Sequence, residues 1–159
     1  MNVRIICVGK LREKFYTDAV SEFKKRLSRF VNLEIVEMPD EKAGEQLSEA
    51  QRTRVKAEEG RRILEHLSPG EVLVATVIKG ERLSSEKLAD RLSGYMLEGK
   101  SRIAFAIGGS LGLSDEVQKR ADMKLSFSDM TFTHQLFRVM LLEQIYRAFK
   151  IINGEPYHK

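Results

Sequence analysis

The sequence predicts an α/β layered domain built on a parallel sheet. Three observations carry this reading: short apolar runs recur along the chain, stretches of helical periodicity separate them, and glycines punctuate the joints. The runs are Val3 to Val8, Leu33 to Met38, Val72 to Ile78 and Ile103 to Ile107. Each is apolar at most positions rather than at alternate ones, the pattern of strands buried on both faces. The first run holds Cys7, the one cysteine, which reads as a small core hydrophobe. Without a disulfide partner it favours a cytoplasmic protein. After it, Phe15, Ala19, Phe23, Leu27 and Phe30 repeat at helical spacing. Pro39 to Glu45 is a polar turn, too short to separate domains. Gln46 to Leu67 is a strongly charged helix with a thin apolar stripe through Leu47, Val55, Ile63 and Leu64. Ser84 or Ser85 caps a further helix, Glu86 to Leu97. Gly70, Gly80 and Gly99 mark the remaining joints.

Composition sets bounds on this picture. With 159 residues, 42% of them hydrophobic, residues 1–159 make one domain with a proper core. No apolar stretch approaches the roughly 18 residues of a membrane span, and Lys10, Arg12 and Lys14 come too early for a signal peptide. The net charge is +4, from 27 basic and 23 acidic residues. Eight Lys or Arg fall in the first thirty residues, which is compatible with an RNA-facing surface, although ordinary solvated helix positions are the plainer reading.

The last third holds the chemistry. Ile107-Gly108-Gly109-Ser110-Leu111-Gly112-Leu113 is a glycine turn directly after a strand, where ligands collect in open α/β sheets. Its spacing fits neither a dinucleotide fingerprint nor a P-loop. From the glycines alone, a tight turn and a ligand site stand equal. A second segment, Leu125 to Phe132, interleaves Ser126, Ser128 and Thr131 with Phe127, Met130 and Phe132. Hydroxyls beside apolar walls suit a flat aromatic ligand such as adenine. The helix from about Thr133 to Ile151 is apolar on more than one face, so part of it is expected on the sheet and part against a second subunit. Arg138 interrupts its apolar run, either as a paired interface residue or as a phosphate contact. The final residues, Gly154 to Lys159, place Tyr157, His158 and Lys159 together; chain ends of this kind usually fray.

These segments carry a family resemblance. FAIGGSLGL, LSFSDMTFTHQLFR, EQIYRAFKI and GEPYHK, with VGKLREKF and EMPDEKA upstream, resemble the ribosomal RNA large subunit methyltransferase H family, of the SPOUT class of knotted methyltransferases. The resemblance runs the whole length. It implies a homodimer whose C-terminal part forms a trefoil knot around S-adenosyl-L-methionine. It also implies methylation of a pseudouridine at its imide nitrogen, in the 23S rRNA of the assembled ribosome, with no DNA, membrane or metal partner. Cofactor contacts carry over to Thr76, Gly108, Phe127, Ser128, Asp129, Met130, Thr131 and Phe132. Thr76 stands where an apolar residue is expected, and Thr133 where the family pattern has proline; threonine gives up proline's preset φ but can cap the helix.

The acceptor imide must lose a proton. His158 is the first candidate base, because an ordinary imidazole titrates near 6.5. Such a base contributes roughly 10²–10⁴-fold. Tyr157 could stack on the target base, while Lys159 or Arg138 could hold RNA phosphate. His134 reads as a helix-start residue orienting the pocket. Two other readings share this inventory: a ribosome-binding assembly factor that keeps the cofactor without efficient transfer, and a small-molecule sensor.

Overall fold

The computed structural model describes residues 1–41, 44 and 46–157. Ten elements alternate: β1 (Asn2–Val8), α1 (Lys14–Leu27), β2 (Asn32–Met38), α2 (Glu49–Glu65), β3 (Val72–Arg82), α3 (Ser85–Leu97), β4 (Arg102–Ile107), α4 (Asp115–Arg120), β5 (Met123–Ser126) and α5 (His134–Ile152). The strands form one sheet in the order β2-β1-β4-β3-β5, every neighbouring pair parallel.

Strand alternation sorts the side chains into two cores. Val3, Ile5 and Cys7 of β1, with Val72, Val74, Ile103, Phe105 and Ile107, face α1, α3 and α5. Ile6, Val8, Leu73, Ala75, Ala104 and Ala106 face the opposite way, where Ile63 of α2 and Val117 of α4 cover them. Burial pushes the Cys7 thiol up to about 11, which suits a core position. Edge strand β2 sends apolar side chains to both faces, Leu33 and Ile35 to one core and Val36 and Met38 to the other, while Glu34 and Glu37 are exposed.

Helix boundaries follow capping chemistry. Ser48 and Gln51 form a reciprocal capping box, so α2 starts at Glu49 rather than Gln46. Ser84, not Ser85, caps α3, accepting from the Lys87 amide at 3.2 Å; this frees Ser85 to donate to Gln144 of α5. The sequence reading resolved neither α4 nor β5. Six residues are too few for helical periodicity, and Met123-Lys124-Leu125-Ser126 is a short edge strand whose partner β3 is already formed.

Helix α5 lies between α1 and α3. Leu141, Leu142, Ile145, Ala148 and Phe149 are buried within the single chain, each larger side chain contributing about 1.5–3 kcal/mol. Flanked on both sides, the helix uses more of its apolar residues inside the chain than its composition suggested. Leu136 is exposed, and Val139 and Met140 are half-buried, so an apolar strip remains outside.

Candidate functional site

The C-terminal ends of β3, β4 and β5 bring three loops together. After β4, Gly108 to Leu113 folds into a tight turn closed by the Gly112 amide donating to Gly109 O at 3.0 Å, with Gly112 at φ +82°. A Cβ on Gly108 would meet the Gly112 carbonyl carbon at 2.6 Å, so the turn closes only around glycine. Ser114 then caps α4 by accepting from the Val117 amide.

Thr76 lies where β3 leaves its pairing with β4. Its hydroxyl donates to Ala106 O at 2.7 Å, pinning the two strand ends and leaving its backbone at the mouth. This explains a polar residue in the otherwise apolar run Val72 to Ile78: the side chain is a strap between strands. Beyond it β3 makes an excursion, since Thr76 and Glu81 both register on Leu125 of β5. At Gly80 the backbones touch closely, and an added Cβ would stand 2.8 Å from Lys124 O. The excursion extends the strand to Arg82, past the Ile78 boundary drawn from sequence; a glycine within a strand pattern was its one available signal.

The third loop runs from Phe127 to Thr133. Ser126 donates to Ser128 O, and the Met130 amide donates to Ser128 Oγ at 3.0 Å, so both serines shape the loop itself. Asp129 pairs with Arg82 across the mouth. Phe127 packs on Phe137 of α5, ring centroids 4.8 Å apart. Met130, Thr131 and Phe132 are exposed, and Met130 and Phe132 give the mouth two apolar side chains. Thr133 caps α5 by accepting from the Leu136 amide at 3.4 Å, which offsets part of what a proline would supply.

The other candidates stand apart from this cluster. Arg138 is fully buried inside the chain, its guanidinium paired with Glu37 and donating to Gly9 O at 3.0 Å. Of the two readings of this residue, the single chain presents the paired one, with the guanidinium buried. It braces the β1 and β2 ends against α5. Tyr157 packs edge-on against Tyr146 at 5.4 Å, with the Arg147 guanidinium 4.1 Å from its ring centroid. Burial first, then its hydrogen bond with Glu143, raises its pKa. The tail leading to it is tied down by Glu155, which pairs with Arg29 and Lys150, so this part of the end does not fray. His158 and Lys159 lie outside the described residues.

One residue gains weight. The His134 ring lies against Gly9, whose added Cβ would meet its Cε1 at 2.7 Å, and its buried Nδ1 has no partner among the described residues. Burial, then the Arg138 charge, lowers its pKa. The unfolded imidazole therefore takes up a proton near 6.5 that the folded one refuses, so its share of stability is complete above that pH and lost below it. We expect the melting temperature to fall from pH 7 to pH 5 more steeply in the wild type than in His134→Gln; equal slopes in the two proteins would refute the assignment.

Among the described residues no group of three or more His, Cys, Asp or Glu could hold a metal ion, and no helix is long and apolar enough to cross a membrane. A parallel α/β sheet with ordered glycine and hydroxyl loops at its last strand ends fits a class of transferases, and the sequence matches that class. The family model described as "Predicted SPOUT methyltransferase" covers residues 1–158, and the chain belongs to this family. At finer grain, it is 54% identical to Ribosomal RNA large subunit methyltransferase H of Bifidobacterium animalis subsp. lactis (strain AD011) over the whole of both chains. It is 55% identical to the protein of that name from Alkaliphilus oremlandii and 54% to that of Clostridium kluyveri, again over both full lengths.

Proposed function

We propose that this chain is an S-adenosyl-L-methionine-dependent rRNA methyltransferase. In this reading it methylates N3 of a pseudouridine in 23S rRNA of the assembled ribosome and works in the cytoplasm as a homodimer. The observation that carries it is the placement of Thr76, Gly108 and Phe127 to Phe132 at the C-terminal ends of three adjacent strands, in a chain that matches the named relatives from end to end. A trefoil knot through the C-terminal loops belongs to the same reading.

The residues present suit the donor. Backbone groups of the glycine turn approach it without side chains in the way, and Phe127, Met130 and Phe132 offer apolar surface for its adenine. When bound, the sulfonium compound supplies an activated methyl group. The protein's part is orientation and exclusion of water. In the proposal His158 accepts the imide proton, Tyr157 stacks on the target base, and Lys159 holds phosphate. Arg138 fixes the frame from inside.

The tail's placement supports the second subunit of this reading. Tyr146, which receives Tyr157, lies nine residues beyond Phe137, which receives Phe127; that is about 14 Å along the helix. A tail anchored there is better placed for the loops of another copy, approached over the exposed Leu136 strip.

The experiment is transfer of a radiolabelled methyl group to intact ribosomes, separate subunits and naked rRNA, with the product nucleoside identified by mass spectrometry. Label on pseudouridine in assembled ribosomes alone is the expected result. Donor binding without label would favour an assembly factor, and loss of ribosome association as well would favour a sensor. Deleting residues 157–159 should leave donor binding intact and abolish transfer; a fully active truncated enzyme would remove the tail from the mechanism.

A further inference from the structure

Helix α2 forms the back wall of the glycine turn and grips it at both ends. Gly60 sits so close to Ser114, the residue that ends the turn, that an added Cβ would stand 2.2 Å from its Oγ. Glu59, one residue earlier, meets the other end: a methyl on Gly109 would stand 3.0 Å from its Oε2 and 3.2 Å from its Oε1. Glu59 is only 4% exposed. Its Oε1 accepts from the Glu41 amide at 3.0 Å, while its Oε2 is buried and has no hydrogen-bond partner among the described residues. The Glu41 segment is itself strapped to α2 by Arg62, which pairs with Glu41 and donates to Pro39 O. One buried carboxyl thus joins the chain after β2 to the turn after β4.

A buried acceptor left without a donor is costly, and native proteins keep few of them. Burial, the leading influence on this carboxyl, raises its pKa, as expected of an acceptor without its full complement of donors. The turn it faces carries backbone N–H groups and is free of Cβ atoms at Gly108, Gly109 and Gly112.

We propose that Glu59 is a positioning residue for the donor-binding turn, its free Oε2 taking a backbone N–H of residues 109–111 when the donor is seated. The proposal rests on the reading of that turn as the donor site. Glu59 touches neither donor nor RNA in this account; it holds the turn in the shape that does.

Three variants test it in the full-length chain, with S-adenosyl-L-methionine as the probe, by titration calorimetry, steady-state kinetics and thermal denaturation. Glu59→Gln keeps the shape and one acceptor for the Glu41 amide but presents an NH₂ where an N–H must arrive. It should retain a cooperative melt while the donor Kd and KM rise roughly 10- to 100-fold, with kcat falling less. A purely structural carboxyl would be replaced by the amide without that split, and donor affinity equal to wild type in Glu59→Gln overturns the proposal. Gly109→Ala should weaken donor binding strongly in the wild-type background and much less beside Glu59→Ala, where two of the three close contacts are gone. Strictly additive losses would also overturn it. A wild-type chain that binds no donor overturns the functional reading and this proposal together, whereas binding that Glu59→Gln leaves unchanged overturns this proposal alone.

Discussion

Gly108→Arg is expected to abolish donor binding and methyl transfer while the sheet still folds. The obstacle is backbone rather than a flexible side chain: a Cβ at this position would lie 2.6 Å from the Gly112 carbonyl carbon and 2.9 Å from both Gly112 O and Leu113 N. Nothing in the turn can rotate aside, so its whole path must change. Displacement of a binding loop by about 1 Å costs on the order of 10²-fold in rate, and a side chain here demands at least that. Gly108→Ala should act in the same direction, since the collision begins at Cβ. The turn follows the last residue of β4, so strand pairing is left in place, and Leu113 is the one core residue within the turn. Calorimetry measures the effect directly; near-normal heat of donor binding in Gly108→Arg would sink the assignment of this turn.

Arg138→Met should lower stability more than any single surface substitution. It removes a fully buried guanidinium from Glu37 and from Gly9 O. Breaking a buried pair by deleting one partner costs about 3–5 kcal/mol. Glu37 is 32% exposed and can recover some hydration, so the lower end applies. At 2–4 °C per kcal/mol for a chain of this size, the melting temperature should fall by roughly 6–12 °C. Arg138→Lys should recover only part, because a single ammonium cannot reproduce the planar fork that reaches two acceptors at once. A fall under about 2 °C in Arg138→Met would show that the pair contributes little.

Much of the fold was legible because its strands carry their burial in their composition. Val3 to Val8 and Ile103 to Ile107 are apolar on both faces since they lie at the centre of the sheet, covered by helices on each side. The less legible pieces are those whose structure is imposed by neighbours. Lys124 sits within β5, yet the segment is a strand because β3 offers it an edge. The extension of β3 past Ile78 depends on Gly80 meeting the β5 backbone, a contact between residues more than forty positions apart.

The site divides in the same way. Gly108 and the Phe127 to Phe132 loop announced themselves by glycines and by hydroxyls alternating with aromatics. Arg138 could not be read, since a lone arginine in an apolar helix looks the same whether its partner is RNA or Glu37. Glu59 was hidden in the charged pattern of α2, where periodicity cannot distinguish a solvated carboxylate from one turned toward the glycine turn.

The pairing of β1 with β4 has a consequence for how this protein is made. Asn2 registers on Arg102, so β1 is made about a hundred residues ahead of β4, one of its two neighbours. At about 5–20 residues per second of synthesis, that is a wait of roughly 5–20 s. Until then β1 has β2 alone and its other edge is unpaired, with Ile5 on one face of the strand and Ile6 and Val8 on the other. The central seam therefore closes only once β4 has been translated, and its pairing is a long-range parallel contact of the kind that slows folding.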